Sequence, residues 1–231
     1  MGETSKVVKP VDAAGLVLIR AGSRGEPEIL LGRRHRKAGF LPDIYVVPGG
    51  RVDTADHAPS GFAETLNPAV SAALQSGGSR RPALAFPRAA LRETHEETGL
   101  LVGGSGKPLD SPHQSIWQAY GAAGLAPDFA TIDFICRAIT PVTSLRRYNT
   151  RFFLADGARA VGSVSSNGEL EDLAWRPVPA LSSLNIVDVT EYVLKEALRR
   201  WQARSPIGAE SPKLLNYRKD IMTLSRHRVR G

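Results

Sequence analysis

The sequence predicts an α/β sandwich, a mixed β-sheet held between helices, and three observations predict it. β-Forming segments occupy the start and the second half of the chain, a well-punctuated helix lies between them, and the stretch 189–201 carries apolar residues at helical spacing. At 231 residues, with no internal repeat, one domain spanning 1–231 is the expectation.

Val11–Arg20 (VDAAGLVLIR) and Glu28–Arg33 (EILLGR) read as an opening hairpin, because AGSRGEP between them supplies the Gly and Pro of a turn. Past the basic cluster Arg33, Arg34, Arg36 and Lys37, Ile44–Val47 is a short buried strand ending in Pro48-Gly49-Gly50. Two glycines there allow a tight bend and leave backbone carbonyls and amides open to a ligand. From 53 to 85 the composition shifts to Ala, Ser, Gly and Pro, which reads as an insertion outside the core, with a helix at Phe62–Gln75 and a flexible SGGSRRP run. Pro87–Thr98 is a helix: Pro87 suits its first turn, Ala89, Ala90 and Leu91 favour it, and Gly99 ends it. The run Gly103-Gly104-Ser105-Gly106-Lys107 lacks the glycine spacing of a phosphate loop and reads as a linker. Ser111–Ala123 is a short helix turning Ile116, Trp117 and Tyr120 inward. Thr131–Thr140, Thr150–Ala155 and Leu170–Val178 are strands, with an Asn167-Gly168 turn before the last. Val189–Trp201 closes the pattern, with Val189, Val193, Leu194, Ala197, Leu198 and Trp201 on its inner face.

A hydrophobic content of 42% is ordinary for a globular core. No apolar run approaches the ~20 residues of a membrane span, and MGETSKVVKP lacks the apolar stretch of a signal peptide. Lys6 stands where a myristoylation signal wants Ser or Thr, and RVRG is not a peroxisomal address. The expectation is a cytoplasmic protein with no membrane partner. Cys136 is the lone cysteine and, within DFICRAI, suits a buried strand. The net charge of +7 is uneven: residues 204–231 hold seven Lys/Arg against Glu210 and Asp220 and read as a basic, solvated tail. With 6% aromatics and no stacking pattern, nucleic acid is not expected as the main ligand, and a homodimer is left open.

The most informative segment is PRAALRETHEET. On a helix Glu93, Glu96 and Glu97 stand at i, i+3 and i+4, within ~5–6 Å of one another on one face. Two unit charges ~5 Å apart repel by roughly 3 kcal/mol at an effective dielectric near 20, so the face calls for protonation, an arginine or a divalent metal. Hard oxygen ligands without cysteine favour Mg²⁺ or Mn²⁺ over zinc.

Together with the Pro-Gly-Gly bend, this helix resembles the signature of the Nudix (MutT-like) hydrolases. Arg92-Glu93-Thr94-His95-Glu96-Glu97-Thr98-Gly99-Leu100 stands as the second half of that box, and Gly50 takes the place of its first glycine. The interval from Gly50 to Arg92 is 42 positions, so about 28 residues are inserted; the box glutamate six residues after the glycine is matched by Asp56, and Thr94 replaces an aliphatic residue. A box split in this way resembles the branch that includes the peroxisomal coenzyme A diphosphatases and bacterial relatives, from about residue 11 to 200. Asp43 and Gly39 depart from the coenzyme A signature.

The resemblance implies a Nudix-type α/β/α sandwich and cleavage of a nucleoside diphosphate linked to another moiety. It implies Glu96 and Glu97 as the principal ligands of Mg²⁺ or Mn²⁺, Glu93 as a further ligand or the base, the Gly50 carbonyl completing the shell, and Arg92 holding Glu93. A base outside the box would be Glu169, Glu171 or Asp172. Arg33, Arg34 and Arg51 are candidates for the substrate phosphates, as is Arg36, with Arg146, Arg147 and Arg151 behind them. Coenzyme A or an acyl-coenzyme A leads the substrates, followed by ADP-ribose, a dinucleotide or a modified nucleoside triphosphate. A non-catalytic nucleotide-binding regulatory module and a polyanion scaffold are the readings from other classes.

Overall fold

The computed structural model describes residues 8–76, 79–111, 113–218 and 221–227. The readings on Lys6 and RVRG, on Gly77-Gly78 of the flexible run, on Pro112, and on Lys219, Asp220, Arg228 and Arg230 of the basic segment lie outside the described residues.

In chain order the strands are β1 Val11–Ala21, β2 Pro27–Arg34, β3 Tyr45–Val46 and β4 Gly49–Arg51, followed by helices α1 Pro68–Ser76 and α2 Ala85–Thr98. β5 Leu101–Ser105, α3 Ser115–Ala122, β6 Leu125–Pro127, β7 Asp133–Ile139, β8 Tyr148–Asp156, β9 Ala160–Val161 and β10 Leu170–Pro177 come next. α4 Asp188–Gln202, β11 Lys213–Arg218 and β12 Ile221–Arg226 complete the described chain.

The main sheet runs β10-β2-β1-β8-β7-β11-β12, with β3 on β2 and β4 on β1. β1–β8 and β7–β11 are parallel and the other pairs antiparallel, so the sheet is mixed as expected. β1 shows why its sequence folds this way: alternate residues supply opposite cores. Leu16 and Leu18 join Phe86, Ala89, Ala90 and Leu91 of α2, while Val17 and Ile19 join Val193, Leu194 and Ala197 of α4. The result is the α/β/α sandwich.

α2 begins at Ala85, two residues ahead of the expected start at Pro87, and ends where Gly99 takes a left-handed φ of 74° and donates to His95 O. Thr94 fits inside because its hydroxyl donates to Ala90 O at 2.7 Å, one turn back.

Three expectations are corrected. The stretch 53–85 contributes to the core: Phe62, Val70, Ala73 and Leu74 are buried, and the helix starts at Pro68 rather than Phe62 because Asn67 caps it, accepting from Ala69 N at 2.9 Å. The Gly103–Lys107 linker is largely strand, since Leu101–Ser105 pairs with β6 and β9, and the Ala126 carbonyl lies where a Gly103 Cβ would stand. The basic segment is not a solvated tail throughout: β11 and β12 form a hairpin that extends the sheet beyond β7, with Leu215 buried.

Candidate active site

A cavity of about 670 Å³ opens at the Pro-Gly-Gly bend. Gly50, Arg51, Arg92, Glu93, Glu96 and Glu97 line it, so six of the residues singled out from sequence converge. β4 lies against β1 with Gly50 opposite Ala14, and α2 packs behind β4. A Cβ on Gly50 would stand 2.5 Å from both Glu93 carboxylate oxygens, so only glycine lets this backbone approach the acids.

Arg92 organises the acidic face. Its Nη1 donates to Glu93 Oε1 at 2.8 Å and to Glu96 Oε2 at 3.1 Å, and its Nη2 donates to Arg51 O at 3.0 Å. Its other hydrogen bonds are to Asp56, fully buried, which accepts from Nε at 2.9 Å and Nη2 at 3.0 Å. Burial alone would pull the Arg92 guanidinium down, yet Asp56, Glu93 and Glu96 hold it above its ordinary value. Arg88, one turn earlier, donates to both carboxylate oxygens of Glu64 and to the carbonyls of Asp56 and His57. The inserted stretch is therefore bolted onto the back of α2 by two arginines.

Of the three remedies for crowded acids, arginine is visible in the contacts of Arg92, and burial favours protonation of Glu97. Glu97 is 3% exposed and accepts from Gly49 N at 2.9 Å. Burial pushes its carboxyl up to about 8 against that hydrogen bond, with Glu93 and Glu169 adding to the rise. Burial also raises Glu93, against the pull of Arg92. Among the described residues no three Asp, Glu, His or Cys side chains converge as a ready-made cage. The donors nonetheless suit a hard cation: three carboxylates line one wall beside a backbone that a Cβ would have blocked.

The flanking candidates sort cleanly. Among Glu169, Glu171 and Asp172 only Glu169 lines the cavity. Glu171 is paired with Arg33 at 2.9 Å, and Asp172 with Tyr45 and with Arg176 at 2.6 Å. Arg33 is therefore held by Glu171 and by Asp43 at 2.8 Å and does not line the cavity, whereas Arg34 and Arg51 do. Arg36 lies 3.9 Å from Asp43, and Arg147 is buried, donating to Thr140 O and Val8 O. Arg146 packs over Gly39, outside the cavity lining, and Arg151 is buried on the opposite face of the sheet.

Sequence reading missed part of the cavity. Phe40 and Leu41 from the loop after β2, Ile139 of β7, Tyr148 and Phe152 of β8 and Tyr217 of β11 add a largely apolar part of the lining. Phe40 and Tyr148 stack at 5.0 Å between centroids, and Tyr217 is fixed by donating to Asp188 at 2.8 Å. A smaller cavity of about 120 Å³ beside α1 holds none of the candidate residues.

An acid-faced helix packed behind a Pro-Gly-Gly bend, on a mixed sheet between helices, is the arrangement that the resemblance to the Nudix hydrolases implies. Comparison with known proteins agrees. A Nudix hydrolase from Alicyclobacillus acidocaldarius superposes at a TM-score of 0.63 with 29% identity, covering 83% of this chain and 92% of that one. The acyl-coenzyme A diphosphatase NUDT19 of Gallus gallus is 26% identical over 230 residues, 72% of this chain and 61% of that protein. The chain thus spans about three fifths of the length of that curated relative. A MutT protein from Bacillus halodurans shares the fold at a TM-score of 0.50 and 13% identity, covering 93% of this chain and 97% of that one. No protein-family model matches the chain. The chain is thus similar in sequence and fold to Nudix hydrolases. No helix among the described residues is long and apolar enough to cross a membrane.

Proposed function

We propose that this protein is a metal-dependent hydrolase that splits the pyrophosphate of a substituted nucleoside diphosphate, with coenzyme A or an acyl-coenzyme A as its leading substrate. One observation carries the reading: a single cavity is lined both by the α2 acids with the Gly50 bend and by apolar and aromatic side chains. Glu93, Glu96, Glu97 and the Gly50 carbonyl would hold Mg²⁺ or Mn²⁺. Bound there, the cation neutralises phosphate oxygens and lowers the pKa of a water. Arg92 orients Glu93 and Glu96 through Nη1 and is itself held by Asp56, so the acids keep their places as charge changes around them. Arg34 and Arg51 line the cavity and take the substrate phosphates. Of the three bases considered outside the acidic helix, Glu169 is our choice to accept a proton from the attacking water: it lines the cavity, whereas Glu171 and Asp172 are paired with arginines, which supports this reading. The apolar wall suits the uncharged arm of a coenzyme A, in keeping with a relative named for that activity.

The test is a substrate panel with Mg²⁺, Mn²⁺ or chelator, read by mass spectrometry of the products. The expected result is metal-dependent formation of two phosphate-bearing products from an acyl-coenzyme A, with Glu97→Gln lowering kcat by about 10²–10³-fold, the range for one preorganised charge-stabilising group. ADP-ribose, a dinucleotide or a modified triphosphate as the only substrate turned over would overturn the coenzyme A assignment. Undiminished turnover in Glu97→Gln would overturn the site.

A further inference from the structure

Behind the cavity, on the α2 face of the sheet, three arginines gather around one carboxylate. Thr150 and Phe152 line the cavity, so Arg151 between them projects the other way, where its guanidinium lies 3.9 Å over the Phe86 ring of α2. Arg137 of β7 is its direct cross-strand partner, on the same face. Like charges directly opposite in a ladder destabilise it. Arg81, from the inserted stretch, completes the group: its Nε lies 3.4 Å from Asp12 Oδ2.

Asp12 is the sole carboxylate within ion-pair distance of Arg81 and Arg151 among the described residues, and none lies within that distance of Arg137. Its oxygens are already committed. Oδ1 accepts from Arg151 Nη1 at 2.7 Å and Asn149 Nδ2 at 2.8 Å, and Oδ2 accepts from Ser79 Oγ at 2.9 Å. Arg137 donates its Nε to Asn149 Oδ1 at 2.7 Å, a neutral partner. The Arg151 side chain is 1% exposed, and its Nη2 is buried with no acceptor among the described residues. A buried guanidinium nitrogen without a partner is costly, and a water there would leave a net charge of about +2 standing. Burial draws Arg151 down to about 10, against the pull of Asp12, and Arg137 and Arg81 add to the fall.

We propose that this cluster is a binding site for a doubly charged tetrahedral oxyanion, free phosphate or the terminal phosphate monoester of a larger ligand, held by Arg151 Nη2, Arg137 and Arg81. Guanidinium forks match such oxygens in geometry, and two negative charges balance three arginines and one aspartate. The bound anion ties the Ser79–Arg81 segment to the sheet. The site lies on the other face from the cavity and does not depend on the hydrolase reading.

The experiment is thermal unfolding and calorimetric titration of the full chain, in inorganic phosphate or ribose 5-phosphate against chloride at matched ionic strength. At ten times its dissociation constant, phosphate should raise the Tm by about 3–6 °C. Arg137→Gln in phosphate-free buffer should unfold at the wild-type temperature or above, since a repulsion is relieved, and should lose the phosphate shift. Arg81→Gln, in a loop, should weaken phosphate at least about tenfold, while Glu97→Gln in the cavity keeps the full response. Binding of ribose 5-phosphate as well as phosphate assigns a monoester head group; binding of phosphate alone assigns the free ion. No phosphate-specific shift in the wild type, an equal shift in Arg137→Gln, or a shift lost in Glu97→Gln overturns the proposal. So does a lower Tm in Arg137→Gln with no phosphate response, which marks a purely structural network.

Discussion

Arg92 and Arg151 are both buried against the same sheet, in opposite company. Arg92 has four carboxylates within reach, Asp56, Glu93, Glu96 and Asp53 at 3.9 Å, and its pKa rises despite burial. Among the described residues Arg151 has Asp12 alone, faces Arg137 across the ladder, and its pKa falls. Burial of a cation is therefore not one condition but two, decided by how much negative charge shares the site. The acid-rich centre has negative charge to spare for a bound cation; the arginine-rich one has positive charge to spare for an anion.

The comparison is broken most severely at Asp56. Asp56→Asn removes the buried partner of Arg92 and should cost about 3–5 kcal/mol, the range for breaking a buried ion pair, seen as a Tm lower by roughly 10 °C. Phosphate should not restore it. Asp12→Asn, at a partner side chain that is 18% exposed, should cost less, about 2–3 kcal/mol, and here phosphate should recover much of the lost Tm. Equal phosphate rescue of both variants would erase the distinction between the two centres.

Glu97 sharpens the comparison through pH. Its folded pKa of about 8 lies above the ordinary value of 4.5, so the fold favours the protonated form. That contribution is complete below pH 4.5 and is lost as pH rises toward 8. In chelator, Glu97→Gln should therefore gain on the wild type between pH 5 and pH 9, both followed by thermal unfolding. Added Mn²⁺ should stabilise the wild type more than the variant at the upper end. A stability difference that does not change with pH would contradict the burial of an ionisable Glu97. The smallest effect is the reference case: Lys195→Ala breaks an exposed i,i+4 pair with Glu191 and should shift stability by only about 0.3–0.5 kcal/mol.

The acid end of the site was legible because its signal is local. Glu93, Glu96 and Glu97 are fixed by helical spacing, the helix by Gly99, and the bend by Pro48-Gly49-Gly50. Asp56 was marked by its count from Gly50, but its bond to Arg92 spans 36 residues and needed the insertion to fold back over α2. Arg137 and Arg151 become a pair only through strand register, which residue types alone do not set. Arg33 went the other way: its charge suited phosphate, but Asp43, ten residues on across a loop, and Glu171, 138 residues on, claim it. Tyr217 was hidden by its setting in a charged segment that resembled solvated chain, where alternate residues in fact face the sheet's core.

The place of β11 bears on how the protein is made. The strand lies parallel to β7, more than 70 residues upstream, and hands Tyr217 to the cavity. In a nascent chain leaving the ribosome the acidic helix and the Pro-Gly-Gly bend emerge long before Tyr217 does. Until residue 217 has emerged, the β7 edge awaits β11 and the cavity lacks its Tyr217 lining, so translation supplies that part of the pocket last.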